Sequence, residues 1–464
     1  MAATPYFVIS PNTLLSIIGL LRGPDRTVPT PPEDWRKAKI DVVIPTLNEE
    51  VNIIFCLHGL CNQTVRPRQV ILVDDGSKDH TVEYAKDFCA ANGLPLVVIQ
   101  RKAPIGKTPT IKRQAREFDS DVEFILDGDT VLTSPEYIAR TVEELYKGVG
   151  IASACGNVFS FRQRDRRQYL TEPPLNAFMQ RHPDAPTHPK KNIWQRLQMA
   201  ITSTYRDCLY IFLQKFVYKG QMVFYGSITH PVGCAVAYRR KYIEDLFAKY
   251  EPVMGDDLTN SEDIFIGFAL LDEGYRNIQV PDVFCRSQEP EARRLPRQFY
   301  MWSSAFLQSC YYFNSLMMSP FKSLKRWRHE REFRHSRAGK EALEKRVIKE
   351  QYRQAFGSEY TRKYGRPAGW GILLSAVEKV AFPCILLWMV AMRMWEPLLM
   401  TVLAETLLAL SIMAIVAPKR HRLEYVGKGI LITPIRYSAL LFDLSTMLRF
   451  AADLWIYRDK KWRK

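Results

Sequence analysis

The chain has no cysteine pair of the C-x-x-C kind. Its nine cysteines are scattered and odd in number, so neither a disulfide framework nor a thiolate zinc site is expected. A reducing, cytosolic setting for most of the chain follows. A recognisable cleavable leader is also missing, because the apolar stretch at 7–21 has neither a basic start nor a convincing small-residue cleavage site. That stretch reads equally well as an amphipathic membrane anchor or as an ordinary packed helix. The prolines Pro24, Pro29, Pro31 and Pro32 behind it mark a linker, so residues 1–39 are expected to be an anchor and linker. No internal repeat is visible, and Gly106-Lys107-Thr108 lacks the full Walker pattern, so an NTPase loop is not supported. His182 and His188 lie in a polar, proline-containing stretch at 163–191 without ligand-like spacing, which predicts a solvated surface insertion rather than a metal site.

What the chain has in excess is positive charge: 65 Lys and Arg against 49 Asp and Glu, a net +16 over 464 residues. Such a balance suits an anionic partner, whether nucleic acid, phospholipid headgroups or phosphorylated small molecules. No nucleic-acid module accompanies it, so nucleic acid is not expected as a partner. Two apolar runs near the C-terminus offer another explanation. Residues 397–417 carry a single charge, Glu405, and are long enough to cross a bilayer; 371–392 are similar but interrupted by Glu378 and Lys379. A third stretch, 429–457, contains Arg436, Asp443, Arg449 and Asp453, which predicts a helix at the interface or inside a bundle rather than facing lipid. Two crossings are expected. The basic segments 322–349, 419–422 and 458–464 then face the cytosol, with membrane lipids as partners. Glu405, expensive in lipid, predicts a protein partner, a water-lined path or a neighbouring Arg or Lys. The expected location is an integral membrane protein of the cell membrane with its catalytic domain in the cytosol.

Between these ends the pattern alternates. Short apolar runs at 40–44, 69–73, 94–99, 122–126 and 150–159 read as strands, and the stretches after Asn48, Asp79, Lys107 and Ser134 read as helices. Alternation of this kind argues an α/β fold with a parallel sheet. In such sheets ligands collect beyond the carboxyl ends of the strands. Three motifs fall there: Pro45-Thr46-Leu47-Asn48-Glu49-Glu50, Asp74-Asp75-Gly76-Ser77 and Asp127-Gly128-Asp129. Singly each is an ordinary turn. Their joint placement is the signal.

The pattern suits one chemistry. Breaking a sugar-diphosphate bond leaves growing negative charge, which Mg²⁺ or Mn²⁺ held by carboxylate oxygens neutralises. Asp127 would serve the nucleotide sugar and Asp129 the metal. Lys107, in a loop just before a helix, would approach the donor. Ser261-Glu262-Asp263 opens a helix ending at Gly274-Tyr275; an acceptor hydroxyl needs a base opposite the leaving group, and Asp263 is the candidate, with Asp256 and Asp257 close rivals.

This ordered set, together with Gln298 and Trp302, resembles family 2 glycosyltransferases, in particular the hyaluronan, chitin and cellulose synthase branch. The resemblance covers roughly 40–304 and implies a GT-A type nucleotide-sugar-binding domain with a mixed, mainly parallel sheet, followed by interfacial and basic helices (305–370) and membrane helices with a basic tail (371–464). It implies that Asp74 and Asp75 hold the uridine end, with Pro45, Thr46, Glu49, Lys107 and Gly128 also around the donor. Asp127 and Asp129 would serve donor and metal, and Asp263 would be the base. Gly233 and Cys234, in the run before Tyr238-Arg239-Arg240, would line the acceptor site with Glu262. Gln298 and Trp302 would fall in the family's Gln-x-x-Arg-Trp motif, the tryptophan under the acceptor sugar. Here Met301 replaces the motif's arginine, and Arg293, Arg294 or Arg297 is expected to supply the missing charge. The implied function is transfer of a hexose or N-acetylhexosamine from a UDP-sugar to a glycan acceptor. A single addition to a lipid-linked acceptor, and an impaired scaffold subunit, are the alternatives. An oligomeric or export partner would fit the first.

Overall fold

Val42 and Ile44 of the first strand face one hydrophobic core and Val43 faces another, the period-two alternation of a strand covered on both sides. The computed structural model describes residues 10–22, 34–147, 150–189, 192–254, 261–335 and 357–457. The rival bases Asp256 and Asp257, the linker prolines and the basic tail at 458–464 lie outside the described residues.

Eight strands form one sheet: β1 (Ile40–Thr46), β2 (Gln69–Asp74), β3 (Leu96–Gln100), β4 (Val122–Leu126), β5 (Thr130–Leu132), β6 (Ile151–Ser160), β7 (Ala235–Arg239) and β8 (Arg276–Ser287), in the order β3-β2-β1-β4-β7-β6-β8-β5. The β1/β2, β2/β3, β1/β4 and β6/β8 pairs are parallel, whereas β4/β7, β6/β7 and β5/β8 are antiparallel. The sheet is thus mixed and mainly parallel. Each of the five strands expected from the sequence is present. β5, β7 and β8 are additions that short length or a broken pattern concealed; β8 is interrupted by the exposed Pro281-Asp282.

Helices fill the crossovers: α1 (Pro11–Arg22), α2 (Ile53–Cys61), α3 (Thr81–Asn92), α4 (Lys107–Glu117), α5 (Tyr137–Tyr146), α6 (Gln163–Tyr169), α7 (Pro173–Arg181), α8 (Ile193–Phe212), α9 (Tyr218–Tyr225), α10 (Arg240–Met254), α11 (Glu262–Asp272) and α12 (Leu295–Tyr312). The segment 163–191 is not the solvated insertion expected. α6 and α7 stand there, with Leu175 and Phe178 fully buried in the core under β1. His182 stacks on Phe178 at 4.6 Å and pairs with Asp87 at 3.2 Å, so its ring serves packing.

α1 packs on α9 so closely that a Cβ on Gly19 would sit 2.8 Å from the Cα of Gly220. Its Asn12 also donates to Glu378, which ties the N-terminal helix to a long C-terminal one. Two helices, Gly369–Ala391 and Trp395–Val416, are long and apolar enough to cross a membrane. The last helix, Arg422–Trp455, packs along both and along α12. Its charges point inward: Arg436 forms two hydrogen bonds with Glu405, and Asp443 meets Lys379 at 2.7 Å. The polar group expected beside Glu405 is therefore this arginine.

Candidate active site

The loops after β1 and β2 are stitched together before either meets a ligand. Asn48 adopts φ 57°, a left-handed conformation that asparagine tolerates, and its side chain accepts from Lys78 N while its own N–H donates to Ser77 Oγ at 2.8 Å. Asp75 N–H donates to Thr46 O, joining the ends of neighbouring parallel strands. Pro45 pairs in register with Val73, and Asp74 accepts from Ser77 N–H, so both help shape these loops.

The Asp75 carboxylate accepts from Ile105 N–H, Gly106 N–H and Arg101 Nη1. Burial works to raise its pKa, but these donors and the arginine's charge outweigh it and hold the acid below its ordinary value. The next residue in that loop is Lys107. Its ammonium lies 2.7 Å from Asp127, 2.7 Å from Glu262 and 2.9 Å from the Gly233 carbonyl. Burial alone would lower the lysine, yet the two carboxylates keep it well above its usual value, fully charged.

Beneath this lysine the Asp127-Gly128-Asp129 turn joins β4 to β5. Gly128 is required by close approach: a Cβ there would lie 2.8 Å from Thr46 Cγ2 and 3.3 Å from Glu49 Cγ. Carboxylates crowd the turn. Burial, then the charge of Asp129, pushes Glu49 up to about 7; burial raises Asp127 to about 6 against the pull of Lys107. Asp129 is raised as well, chiefly by burial, with hydroxyl hydrogen bonds from Thr130 and Ser287, both 3.2 Å, opposing.

A cavity of about 320 Å³ opens between this turn and α8, lined by Lys107, Asp127, Asp129, Glu262, Asp263, Gly233, Cys234, Gln298 and Trp302 among others. Residues from distant parts of the chain therefore share one cleft. Asp263 presses its carboxylate against the Gly233 backbone, where a Cβ would fall 2.8 Å from Oδ2. Burial first, then Glu262, raises Asp263 to about 7 in spite of Lys107. A carboxylate poised there can accept a proton near neutrality. Cys234 O receives Asp127 N–H, fixing β7 against the acidic turn.

The remaining expectations divide. Arg293, Arg294 and Arg297 are exposed and do not line the cavity. Pro45, Thr46, Glu49, Asp74 and Asp75 lie beside the cavity, connected to it through the 105–107 loop and the Gly128 turn. A residue the sequence reading missed stands at the opposite wall: Arg206 of α8, with no exposed surface. It hydrogen-bonds to Gln298 Oε1, faces Glu289 at 3.4 Å and lies over the Trp302 ring at 4.2 Å. Its Nε and Nη1 are buried without a hydrogen-bond partner. The available signal was its place on α8, between Thr202 and Leu209 on the buried stripe.

The donor set suits a hard divalent cation. Burial raises all three carboxyls, Glu49, Asp127 and Asp129, and the charge of Asp129 adds to the rise at Glu49 and Asp127, so a cation here would relieve both the burial cost and the repulsion. No trio of His, Cys, Asp or Glu able to hold an ion forms among the described residues, so phosphate oxygens of a substrate would complete the coordination.

Residues 41–247 match the family model described as Glycosyl transferase family 2. An undecaprenyl-phosphate 4-deoxy-4-formamido-L-arabinose transferase of Aeromonas hydrophila is 32% identical over 115 residues, 24% of this chain and 35% of that protein. One from Pectobacterium carotovorum is 28% identical over 145 residues, 31% of this chain and 43% of its own. The chain thus spans well under half the length of these curated relatives. Among solved structures, the mannosyltransferase PcManGT from Pyrobaculum calidifontis, in complex with GDP-Man and Mn²⁺, aligns with a TM-score of 0.42 at 15% identity, covering 91% of this chain and 94% of that one. Glucosyl-3-phosphoglycerate synthase from Mycobacterium tuberculosis, with Mn²⁺, UDP and phosphoglyceric acid, aligns at 0.35 and 17% identity over 59% of this chain and 79% of that one.

Proposed function

We propose that this chain is a membrane-bound, inverting glycosyltransferase that moves a hexose or N-acetylhexosamine from a UDP-sugar to a glycan acceptor. The observation carrying the proposal is the convergence of Asp127, Asp129, Asp263 and Trp302, from three separate stretches, on one cleft. Asp74 and Asp75 would hold the uridine end, Lys107 and Asp127 the sugar diphosphate, and Asp129 the cation. Mg²⁺ or Mn²⁺, when bound, supplies neutralising charge to the departing diphosphate.

The acceptor oxygen attacks the anomeric carbon as its proton passes to Asp263; the bond from that carbon to the diphosphate oxygen breaks, and UDP leaves with the electron pair. Inversion follows from a single displacement. Gln298 and Trp302 would hold the acceptor. Arg206, braced on both, is the guanidinium we assign in place of the one missing at Met301; Arg294 and Arg297, at the start of α12, are exposed and do not line the cleft.

A second reading is a single transfer to a polyprenyl-phosphate lipid, the acceptor named for the Aeromonas and Pectobacterium relatives. It is favoured further by the exposed apolar residues Ile193, Trp194 and Leu197 at the start of α8, the helix that carries Arg206. Purified protein in detergent, supplied with UDP-sugars and Mn²⁺ or Mg²⁺, decides. A ladder of products supports the glycan acceptor, one glycolipid supports the lipid acceptor, and no UDP release with any donor or acceptor overturns the transferase reading.

A further inference from the structure

A second cavity, of about 930 Å³, lies behind the first. Its apolar lining includes Leu20 of α1, Met222 of α9, Ile151 of β6, Ile278 and Val280 of β8, and Ile415 with Val416 at the end of the helix Trp395–Val416. Ile415 is 69% exposed, an apolar side chain left open at the mouth. The lining is also basic. Lys147, Lys215, Lys219 and Arg276 line it against one carboxylate, Glu144, which Lys147 already engages at 2.9 Å.

Lys215 and Lys219 stand one helical turn apart, and neither forms an ion pair with a carboxylate among the described residues. Lys215 donates to the Pro281 carbonyl at 2.9 Å and lies 5.3 Å from the centroid of the Phe284 ring, and burial followed by the charge of Lys219 lowers its pKa. Two ammonium groups beside an apolar trough call for an amphiphile whose head is an anion. The trough ends where the long apolar helix gives way to Lys419, Arg420 and His421, the level at which phospholipid headgroups lie.

The two cavities share a wall. Gln214 lines both, and its amide closes on the Val158 backbone of β6, accepting from N–H at 2.8 Å and donating to the carbonyl at 3.0 Å. Gln214 and Lys215 belong to a single π turn, Leu213–Val217, inserted where α8 passes into α9. π turns are rare and carry strain, so their neighbours decide whether they persist. An anion on Lys215 bears on the same turn that sets Leu213 and Gln214 against the catalytic cleft.

We propose that the second cavity binds an anionic phospholipid, with its phosphate on Lys215 and Lys219 and an acyl chain along Leu20, Met222 and Ile415, and that this lipid supports activity through the shared π turn. The proposal rests on the reading that the two long apolar helices enter a bilayer; its lipid-binding part does not depend on the sugar chemistry.

The test uses the full chain purified in detergent. Native mass spectrometry with added phosphatidylglycerol, phosphatidylcholine or glycerol 3-phosphate reads binding directly. One retained phosphatidylglycerol, roughly ten-fold weaker retention in Lys219→Glu, and no retention of glycerol 3-phosphate are expected. Met222→Trp, which fills the trough without touching charge, should give the same loss. Equal retention of the neutral lipid, or retention unchanged in both variants, overturns the site. UDP release in nanodiscs should rise several-fold with phosphatidylglycerol in wild type and not in Lys219→Glu; an equal rise in both overturns the coupling. Alkaline extraction of membranes checks the bilayer reading separately, since a protein released without detergent would fail there whatever it bound.

Discussion

The guanidinium of Arg206 lies 4.2 Å from the centroid of the Trp302 ring, and the two side chains belong to helices far apart in sequence. Their contact puts a positive charge beside the aromatic floor of the cleft even though Met301, next to Trp302, carries none. A buried cation on an aromatic face is stabilised by the ring quadrupole and by Gln298, yet Nη1 has no hydrogen-bond partner and Nε meets only the Glu289 carboxylate, at 3.4 Å and without a hydrogen bond. An incoming phosphate oxygen would satisfy them.

Arg206→Ala is accordingly expected to lower kcat/KM by roughly 10²–10³, the usual cost of removing one donor aimed at developing charge. Adding Met301→Arg to that variant should recover part of the loss, because the new guanidinium would start from the neighbouring position. Steady-state UDP release measures both. Activity unchanged in Arg206→Ala would remove the arginine from the reaction.

Asp263 makes the second prediction through pH. As a base it must be ionised, so kcat/KM should climb as pH rises and level off above about 7, the value to which burial and Glu262 push it. Asp263→Asn should abolish transfer while UDP binding persists. Stability runs the other way: with its folded pKa above the ordinary 3.8, the acid holds its proton more tightly in the fold than in the unfolded chain. Its contribution therefore favours folding at low pH and is lost as pH climbs from about 4 to about 7, so the asparagine variant should melt higher than wild type at pH 8. A flat pH profile between 6 and 8 would sink the assignment.

Removal of the cation gives a third. Glu49, Asp127 and Asp129 are mutually repulsive without one. A chelator should stop UDP release, and Asp129→Asn should raise the Mn²⁺ concentration needed for half-maximal rate by roughly 10-fold or more, since metal-site changes commonly cost 10–100-fold in affinity. Titration of metal against rate tests this; a chelator-insensitive enzyme would contradict it.

Much of this arrangement was written locally in the chain. β1, β2 and β4 are short, mostly apolar runs that end in polar turns, so both the strands and the acidic residues at their carboxyl ends could be read directly. β8 could not, because Pro281 and Asp282 break its alternation, and β5 is only three residues long. α6 and α7 escaped because a polar composition hid the side chains that bury them, Arg166 in α6 and Leu175 with Phe178 in α7. Arg206 escaped for a different reason. Its role depends on α12 folding back over α8, a tertiary contact with no local signature, whereas Arg294 and Arg297 were close in sequence to Trp302 and yet face solvent.

The same distinction governs Glu405 and Arg436. They belong to separate helices, are 1% and 2% exposed, and join through both carboxylate oxygens, with Tyr437 OH donating to Glu405 at 2.7 Å. Either charge left alone in an apolar bundle keeps its desolvation cost and loses its compensation, so Glu405→Leu should destabilise the protein by about 3–5 kcal/mol. Replacing both partners, Glu405→Leu with Arg436→Met, removes the uncompensated charge and should restore most of that stability, because well-packed apolar substitutes for buried pairs are often neutral. Thermal unfolding in detergent compares the three proteins. If the double variant melts as low as the single one, the pair contributes through geometry that apolar side chains cannot reproduce, and the account of Glu405 as a charge simply neutralised by its neighbour fails.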